Sequence, residues 1–466
     1  MYFASNSSNK SRVRKVRVMI IVVLVSGTVT GTIGRGKNMP ESKKNIPMEE
    51  VAGNGLLHRR VFLSQGAALI GAGSFNWLTV RPASAQTAAD IPPWMKAPGA
   101  GMSGYGSRAA HEDYIQRNPV SALGTTGSGG SRTPLQSLEG MITPSALHFE
   151  RHHSGIPDIN PDDHRLLIHG MVERPLIFTM DALSRYPMVS RIHFIECSGN
   201  SRVGFNAEPA PGSCGDLHGL VSCSEWTGVP LAILLEEAGI DPRAQWVLAE
   251  GADAAVMSRS VPVEKIMDDA LLALYQNGER LRPDNGYPVR LFLPGYEGNI
   301  SVKWLRRIKA TAAPTMTRDE TSKYTDLRPD GKSLIFTFPM EVKSVITSPS
   351  PGLSMGGPGL YEISGLAWSG SGKIIAVEVS ADGGQSWARA ALSEPVLSKA
   401  MTRFRMAWQW NGADAVIKSR AIDESGAIQP NRDQLLAEKG TRFNYHYNGI
   451  QSWRVASDGE VANVYG

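Results

Sequence analysis

The sequence predicts an α+β domain followed by an all-β sandwich, and three observations carry that prediction. The chain has 466 residues, room for two or three domains at roughly 100–200 residues each. From residue 145 to 340, strand-like runs are interleaved with amphipathic helices. From 341 to 466, short and partly alternating runs recur between Gly-rich turns at roughly ten-residue spacing, the pattern of an immunoglobulin-like β-sandwich. With 42% hydrophobic and 20% charged residues, the composition excludes wholesale disorder and a polytopic membrane protein.

Residues 1–85 read as an export leader. His58-Arg59-Arg60-Val61-Phe62-Leu63 precedes a weakly apolar stretch from Gly66 to Val80 and the small-residue site Ala83-Ser84-Ala85, the order of regions in a twin-arginine signal. Such a signal sends folded proteins to the periplasm, which suits a cofactor inserted before crossing. Met48 opens a leader of more usual length, so the residues ahead of it read as a start codon placed too early. The Val18–Val25 run within them is too short for a bilayer, which needs about 20 apolar residues. Twelve Lys/Arg against three Asp/Glu give residues 1–85 a charge of +9, and with +4 for the whole chain the remainder carries −5. That sign argues against nucleic acid as a partner, and the mature chain is read without a membrane span.

Residues 86–144 are rich in Gly, Ser and Pro and predict an extended arm wrapped over a domain. In the region 145–340, Leu231, Leu234, Leu235 and Ala238 share one helical face, with Pro230 at the start and Gly239 at the end. Val263 to Tyr275 predicts a second helix, stopped by Asn277-Gly278. In the sandwich region, Asp382-Gly383-Gly384 marks a hairpin turn, since glycine permits the positive φ that such turns require.

The most informative stretch is Arg191-Ile192-His193-Phe194-Ile195-Glu196-Cys197-Ser198-Gly199-Asn200-Ser201-Arg202. A strand runs into a Ser-Gly-Asn turn with Cys197 at its lip, where a soft thiolate can meet a transition metal or sulfur-rich cofactor. Cys214 and Cys223 are either a small disulfide or two unrelated core residues. No Cys-x-x-Cys-His is present, so no covalently attached c-type haem is expected. The histidines show no zinc-like spacing, and there is neither a nucleophile elbow nor a phosphate-binding P-loop.

These residues resemble the sulfite oxidase family of molybdenum enzymes, whose signature is a Cys-x-Gly-Asn turn. The likeness continues through Phe149-Glu150-Arg151-His152-His153, Trp226-Thr227-Gly228-Val229-Pro230, Gly286-Tyr287-Pro288-Val289-Arg290 and Ser301-Val302-Lys303-Trp304-Leu305. In the tail, Gly365-Leu366-Ala367-Trp368-Ser369-Gly370 and Ser380-Ala381-Asp382-Gly383-Gly384 look like the family's dimerisation domain. The resemblance implies a sulfite-oxidase-like molybdopterin-binding catalytic domain over residues 145–340 and a β-sandwich dimerisation domain over 341–466. Within the family, Cys197-Ser198-Gly199-Asn200-Ser201 and Ala273-Leu274-Tyr275-Gln276-Asn277-Gly278 look like the sulfane dehydrogenase branch of periplasmic sulfur oxidation.

The resemblance further implies that Cys197 ligates molybdenum of a molybdopterin cofactor, with no haem in this chain. It assigns Arg151, His153, Arg290, Ser301 and Lys303 to the pterin and its terminal phosphate, for which charge-assisted donors are apt. Asp253 would hydrogen-bond the pterin ring. Arg202 and Arg151 match arginines that line the pocket for an anionic substrate, and Arg405 is placed there by position only. In sulfite oxidases a tyrosine near the metal stands where Leu274 does here, so Tyr275, the candidate catalytic tyrosine of this chain, has moved one residue along. A shift of that size on a helix turns the side chain by about 100°. Asn285 replaces a family histidine among the cofactor-binding residues; it can still donate a hydrogen bond but cannot become cationic. The resulting expectation is a molybdenum oxidoreductase acting on sulfane sulfur carried on a cysteine of a carrier protein, and passing electrons to a c-type cytochrome. The alternative is a dehydrogenase of free sulfite. A homodimer through the sandwich, or a heterotetramer with the cytochrome, completes the expectation.

Overall fold

The computed structural model describes residues 14–15, 50–58, 91–122 and 124–466. The Val18–Val25 run, the twin-arginine pair and the small-residue cleavage site lie outside them. Two five-stranded sheets build the catalytic region. The first runs Glu279–Arg280, Leu271–Gln276, Val221–Pro230, Val189–Glu196, with Arg290–Phe292 also pairing Leu271–Gln276. The second runs Ser258–Pro262, Trp246–Gly251, Leu305–Thr311, Arg165–Gly170, Leu176–Thr179, and its one parallel pairing joins Leu305–Thr311 to Arg165–Gly170. The helix Leu231–Ala238 buries Leu231, Leu234, Leu235 and Ala238 and ends at Gly239 in the left-handed region, as its periodicity and punctuation predict.

The second predicted helix is half right. Residues Val263–Asp269 are helical, but Leu271–Gln276 is a strand. Ala270 takes an extended ψ of 138°, and the apolar run after it is buried from Leu271 to Leu274. A continuous apolar run of that length fits a strand paired on both sides as well as a helix. Here partners on both sides, Val221–Pro230 and Arg290–Phe292, take up its backbone groups.

The C-terminal region is a sandwich of two sheets. One runs Lys343–Ser348, Gly359–Trp368, Thr402–Trp410, then two short strands, Leu56–Leu57 and Glu50–Ala52, from far upstream. The other runs Ala388–Arg389, Ile374–Ser380, Ala415–Asp423, Ser452–Val455, Val461–Val464. Trp368, Trp408, Trp410 and Trp453 are fully buried in one core with Phe404 and Ile417. Each indole is large enough to contribute a major share of the apolar surface removed from water. Gly383 and Gly384 take φ of 75° and 98° in the predicted hairpin turn.

The arm divides. Residues 91–122 are mostly exposed, whereas Gly129–Arg132 is half-buried and pairs with Glu150–His152, the strand that carries Arg151. Arg117 ties the exposed part down, donating to the His148 carbonyl and to Asp284 at 2.9 Å each and pairing with Glu150. Cys214 and Cys223 are free and buried, so the disulfide alternative fails. Burial pushes both thiols up to about 12. Among the described residues no helix is long and apolar enough to cross a membrane.

Candidate active site

Cys197 follows the strand Val189–Glu196 directly, and the turn after it is fixed by its own backbone. The Cys197 N–H donates to the Leu220 carbonyl at 2.9 Å, and the Asn200 N–H donates back to the Cys197 carbonyl at 2.8 Å. The Asn200 side chain accepts from the Leu220 N–H and donates to Glu196 Oε1, which explains the requirement for an amide at that place. Ser201 sits at a φ of 63° and closes the turn.

The turn is held from below by the sandwich. Glu196 is buried and accepts from Lys343 Nζ at 3.1 Å and from Trp368 Nε1 at 2.6 Å. Lys343 also donates to Ser201 Oγ at 2.7 Å, and the His446 N–H donates to the Ser198 carbonyl. A buried carboxylate requires such partners, since desolvating an unpaired charge costs far more than the pair does.

Above Cys197 lies a partly enclosed cavity whose lining comes from several separate elements. Arg151, His153, Asp253, Asn285, Arg290, Ser301 and Lys303 all line it with Cys197. Elements distant in sequence therefore meet as the motif order predicts. Burial pushes the Cys197 thiol above its ordinary value, while the Gly199 backbone donor and the Arg151 charge pull it back. Burial, with the adjacent Arg151 charge, lowers His153 to about 4, so this imidazole is neutral.

The chemistry of the donors tests the cofactor directly. Arg290 is buried and Lys303 partly so, yet their hydrogen bonds go only to neutral acceptors. Lys303 donates to the Arg151 and Asp284 carbonyls and to His152 Nδ1, and Arg290 to the Asn285 and Ser301 carbonyls. Burial and mutual repulsion push Lys303 down to about 7, and burial alone pushes Arg290 down to about 9. Arg290 Nε and Asp253 Oδ1 are buried without a hydrogen-bond partner. An anionic terminal phosphate would supply the countercharge, and a pterin ring carries donors for a carboxylate such as Asp253, so the residues fit molybdopterin. Among the described residues no group of three or more His, Cys, Asp or Glu could hold a metal ion. A metal at Cys197 must bring its other ligands with it, as a dithiolene cofactor does.

Three expected site residues are elsewhere. Tyr275 is half-buried on its strand, packed at the edge of the cluster containing Leu272 and Leu274, with the Arg280 guanidinium 4.4 Å above its ring. Because the element is a strand, its position was misjudged as a turn of a helix, and the cavity holds no part of it. Arg202 is exposed at the start of a short 3-10 turn, outside the cavity wall, instead of partly buried over it. Arg405 pairs with Glu362 and Glu139 on the sandwich surface.

The sequence reading missed Tyr324, Tyr445 and Arg259. Tyr324 lines the cavity, its hydroxyl 3.0 Å from His153 Nε2 and its ring 5.4 Å from that of Tyr445. The Arg259 guanidinium stacks 4.9 Å from the Tyr324 centroid and is buried with Glu297 at 3.1 Å. Burial, with the nearby Cys197 charge, raises the Tyr324 phenol well above its ordinary value. No spacing signal marks these residues, because they come from three separate places: Arg259 from the strand Ser258–Pro262, Tyr324 from the linker between the two domains and Tyr445 from the C-terminal region.

Comparisons with known proteins agree with this geometry. Residues 153–318 match the oxidoreductase molybdopterin binding domain, and residues 335–452 match the Mo-co oxidoreductase dimerisation domain. Sulfite oxidase of Gallus gallus is 32% identical over 343 residues, 67% of this chain and 74% of that protein. The NADH nitrate reductase of Cichorium intybus is 32% identical over 64% of this chain, which spans only 36% of that protein. The crystal structure of the sulfane dehydrogenase SoxCD from Paracoccus pantotrophus matches with a TM-score of 0.79 and 45% identity, covering 81% of this chain and 98% of that chain. The chain belongs to the sulfite oxidase family of molybdenum enzymes and is an oxidoreductase with a molybdopterin-binding domain and a β-sandwich dimerisation domain.

Proposed function

We propose that this enzyme oxidises sulfane sulfur held as a persulfide on a cysteine of a carrier protein in the periplasm, and passes the electrons one at a time to a c-type cytochrome. The observation that carries this reading is the 45% identity to a sulfane dehydrogenase over nearly the whole of that chain. Tyr275, the residue expected to discriminate in favour of free sulfite, lies outside the cavity. When bound, the cofactor supplies a two-electron redox change and transfer of a water-derived oxygen atom to sulfur. Each step balances as R–S–S⁻ plus water giving R–S–SO⁻, two protons and two electrons, with the cytochrome as oxidant.

The chain's own residues prepare the cavity for an anion. Arg151 lines it and brings a guanidinium whose hydrogen bonds go to backbone carbonyls, while Arg259, paired with Glu297, backs its Tyr324 wall. The Tyr324 hydroxyl and the neutral His153 imidazole form a hydrogen-bonded pair that can hold a proton at the His153 Nε2 to Tyr324 Oη contact. Exposed Trp94, Met95, Met102 and Tyr105 on the arm are apolar surface of the kind that marks protein partners. A sandwich of the dimerisation type supports a homodimer, and a bound cytochrome would make it a heterotetramer.

Cytochrome c reduction tests this directly. The molybdenum-loaded protein with its copurifying haem partner is given free sulfite in one cuvette and thiosulfate-charged carrier in the other. Reduction with charged carrier only is expected, and rapid reduction by sulfite alone would move the enzyme to the sulfite dehydrogenases.

A further inference from the structure

Residues Glu50–Leu57 lie inside the stretch read as leader, yet they are built into the folded molecule. They form a hairpin whose second strand, Leu56–Leu57, extends the sheet edge at Thr402–Trp410 through Leu56 opposite Trp408. The contacts are specific. The Gln409 N–H donates to the Gly55 carbonyl at 2.8 Å and Trp408 Nε1 to the Asn54 carbonyl at 2.7 Å. In return Asn54 Nδ2 donates to the Ala381 carbonyl at 2.7 Å, and the Gly53 N–H donates to Ser386 Oγ at 2.6 Å. Leu56 is fully buried in the tryptophan core, and Leu57 packs with Ala407 and Leu360.

Both glycines are required by this contact. Gly55 has a φ of +86°, and a Cβ there would stand 2.1 Å from the Gln409 carbonyl oxygen. A Cβ on Gly53 would stand 2.5 Å from Asp382 Oδ2. The Asp382-Gly383-Gly384 turn is thus part of the receptor, and Gly53-Asn54-Gly55 is shaped to meet it. An unpaired sheet edge invites strand addition, and the occupant here is the chain's own segment.

We infer that Glu50–Leu57 is an intramolecular ligand of the finished sandwich, which holds the leader on the folded domain and competes with whatever machinery reads Arg59-Arg60. Leu57 is anchored two residues before Arg59, so any protein that grips the flanks of the arginine pair in extended form must first pull the hairpin away. This role in presenting the arginine pair rests on the export reading, whereas the docking itself does not. A test on the purified full chain keeps the two apart.

The test compares wild type with Gly55→Ala, and with Asn54→Ala as a milder second variant. Trypsin cleaves after Arg59 and Arg60, and its subsites take several residues ahead of the cut, so cleavage proceeds through the undocked state. The expected result is at least tenfold faster cleavage there in Gly55→Ala and an intermediate rate in Asn54→Ala, with the rest of the chain still folded and resistant to trypsin. A synthetic peptide of residues 48–58 is expected to bind the Gly55→Ala chain and not the wild type, whose edge is occupied. Equal cleavage rates in all three chains, or a peptide that binds neither protein, would overturn the inference.

Discussion

Tyr275 and Tyr324 differ in their relation to the cavity: the first stands outside it and the second on its wall. Tyr275 lies beneath Arg280 away from the cavity, and Tyr324 takes a place on the cavity wall with its hydroxyl on His153. Tyr275→Phe should leave kcat/KM within about twofold. Tyr324→Phe should lower it about tenfold, the equivalent of one hydrogen bond of roughly 1.4 kcal/mol. Steady-state kinetics with carrier-bound substrate check both, and the reverse ranking would return Tyr275 to the site. At this scale the sequence was most legible where a residue belongs to a compact motif. Cys197, Arg151, His153, Asp253, Asn285, Arg290, Ser301 and Lys303 meet as expected. Arg202 and Arg405 were misplaced because position along the chain does not say which way a side chain faces.

Among elements, the strand ending at Glu196 is the hinge of the account. Its terminal carboxylate reaches across to Lys343 and Trp368 of the sandwich, so the thiolate turn is held by residues 147 and 172 positions downstream. Lys343→Met leaves Glu196 with fewer partners in a site that is about 1% exposed, and should lower stability by about 3–5 kcal/mol. Thermal unfolding of the apoprotein measures this, and a fall below 1 kcal/mol would mean that water or another donor replaces the ammonium. The signal for this pairing was present in the sequence, since a glutamate inside an apolar strand demands a buried partner, but nothing local names the partner. The strand Leu271–Gln276 was read as helix because its apolar run has no alternation, and only pairing on both sides decides its form.

At the level of the whole molecule, the catalytic sheets, the arm and the sandwich share buried polar groups that must stay neutral. Burial lowers His148 and His218 to about 3 and His193 to about 4. Unfolded, each returns to its ordinary pKa of about 6.5. Between pH about 6.5 and 4 the unfolded chain therefore binds protons that the folded chain refuses, and stability is lost as pH falls through that window. Each histidine contributes about 1.4 kcal/mol per pH unit there. The melting temperature should drop steadily from pH 7 to 4.5, and a flat profile would show these imidazoles already charged in the folded state. The division into α+β and sandwich regions was legible from the change in periodicity. The docking of Glu50–Leu57 on the sandwich was not, because a two-residue strand carries no periodicity of its own.

X-ray absorption at the molybdenum edge, on wild type and Cys197→Ser with pterin content assayed in parallel, tests the central claim that the turn after the buried Glu196 strand presents the protein's one ligand to a cofactor-borne metal. The account predicts full molybdenum in the wild type and one fewer sulfur neighbour in Cys197→Ser, with the pterin retained by Lys303, Arg290 and their neighbours. An unchanged sulfur count in the variant, or a wild type that carries pterin without molybdenum, would contradict it.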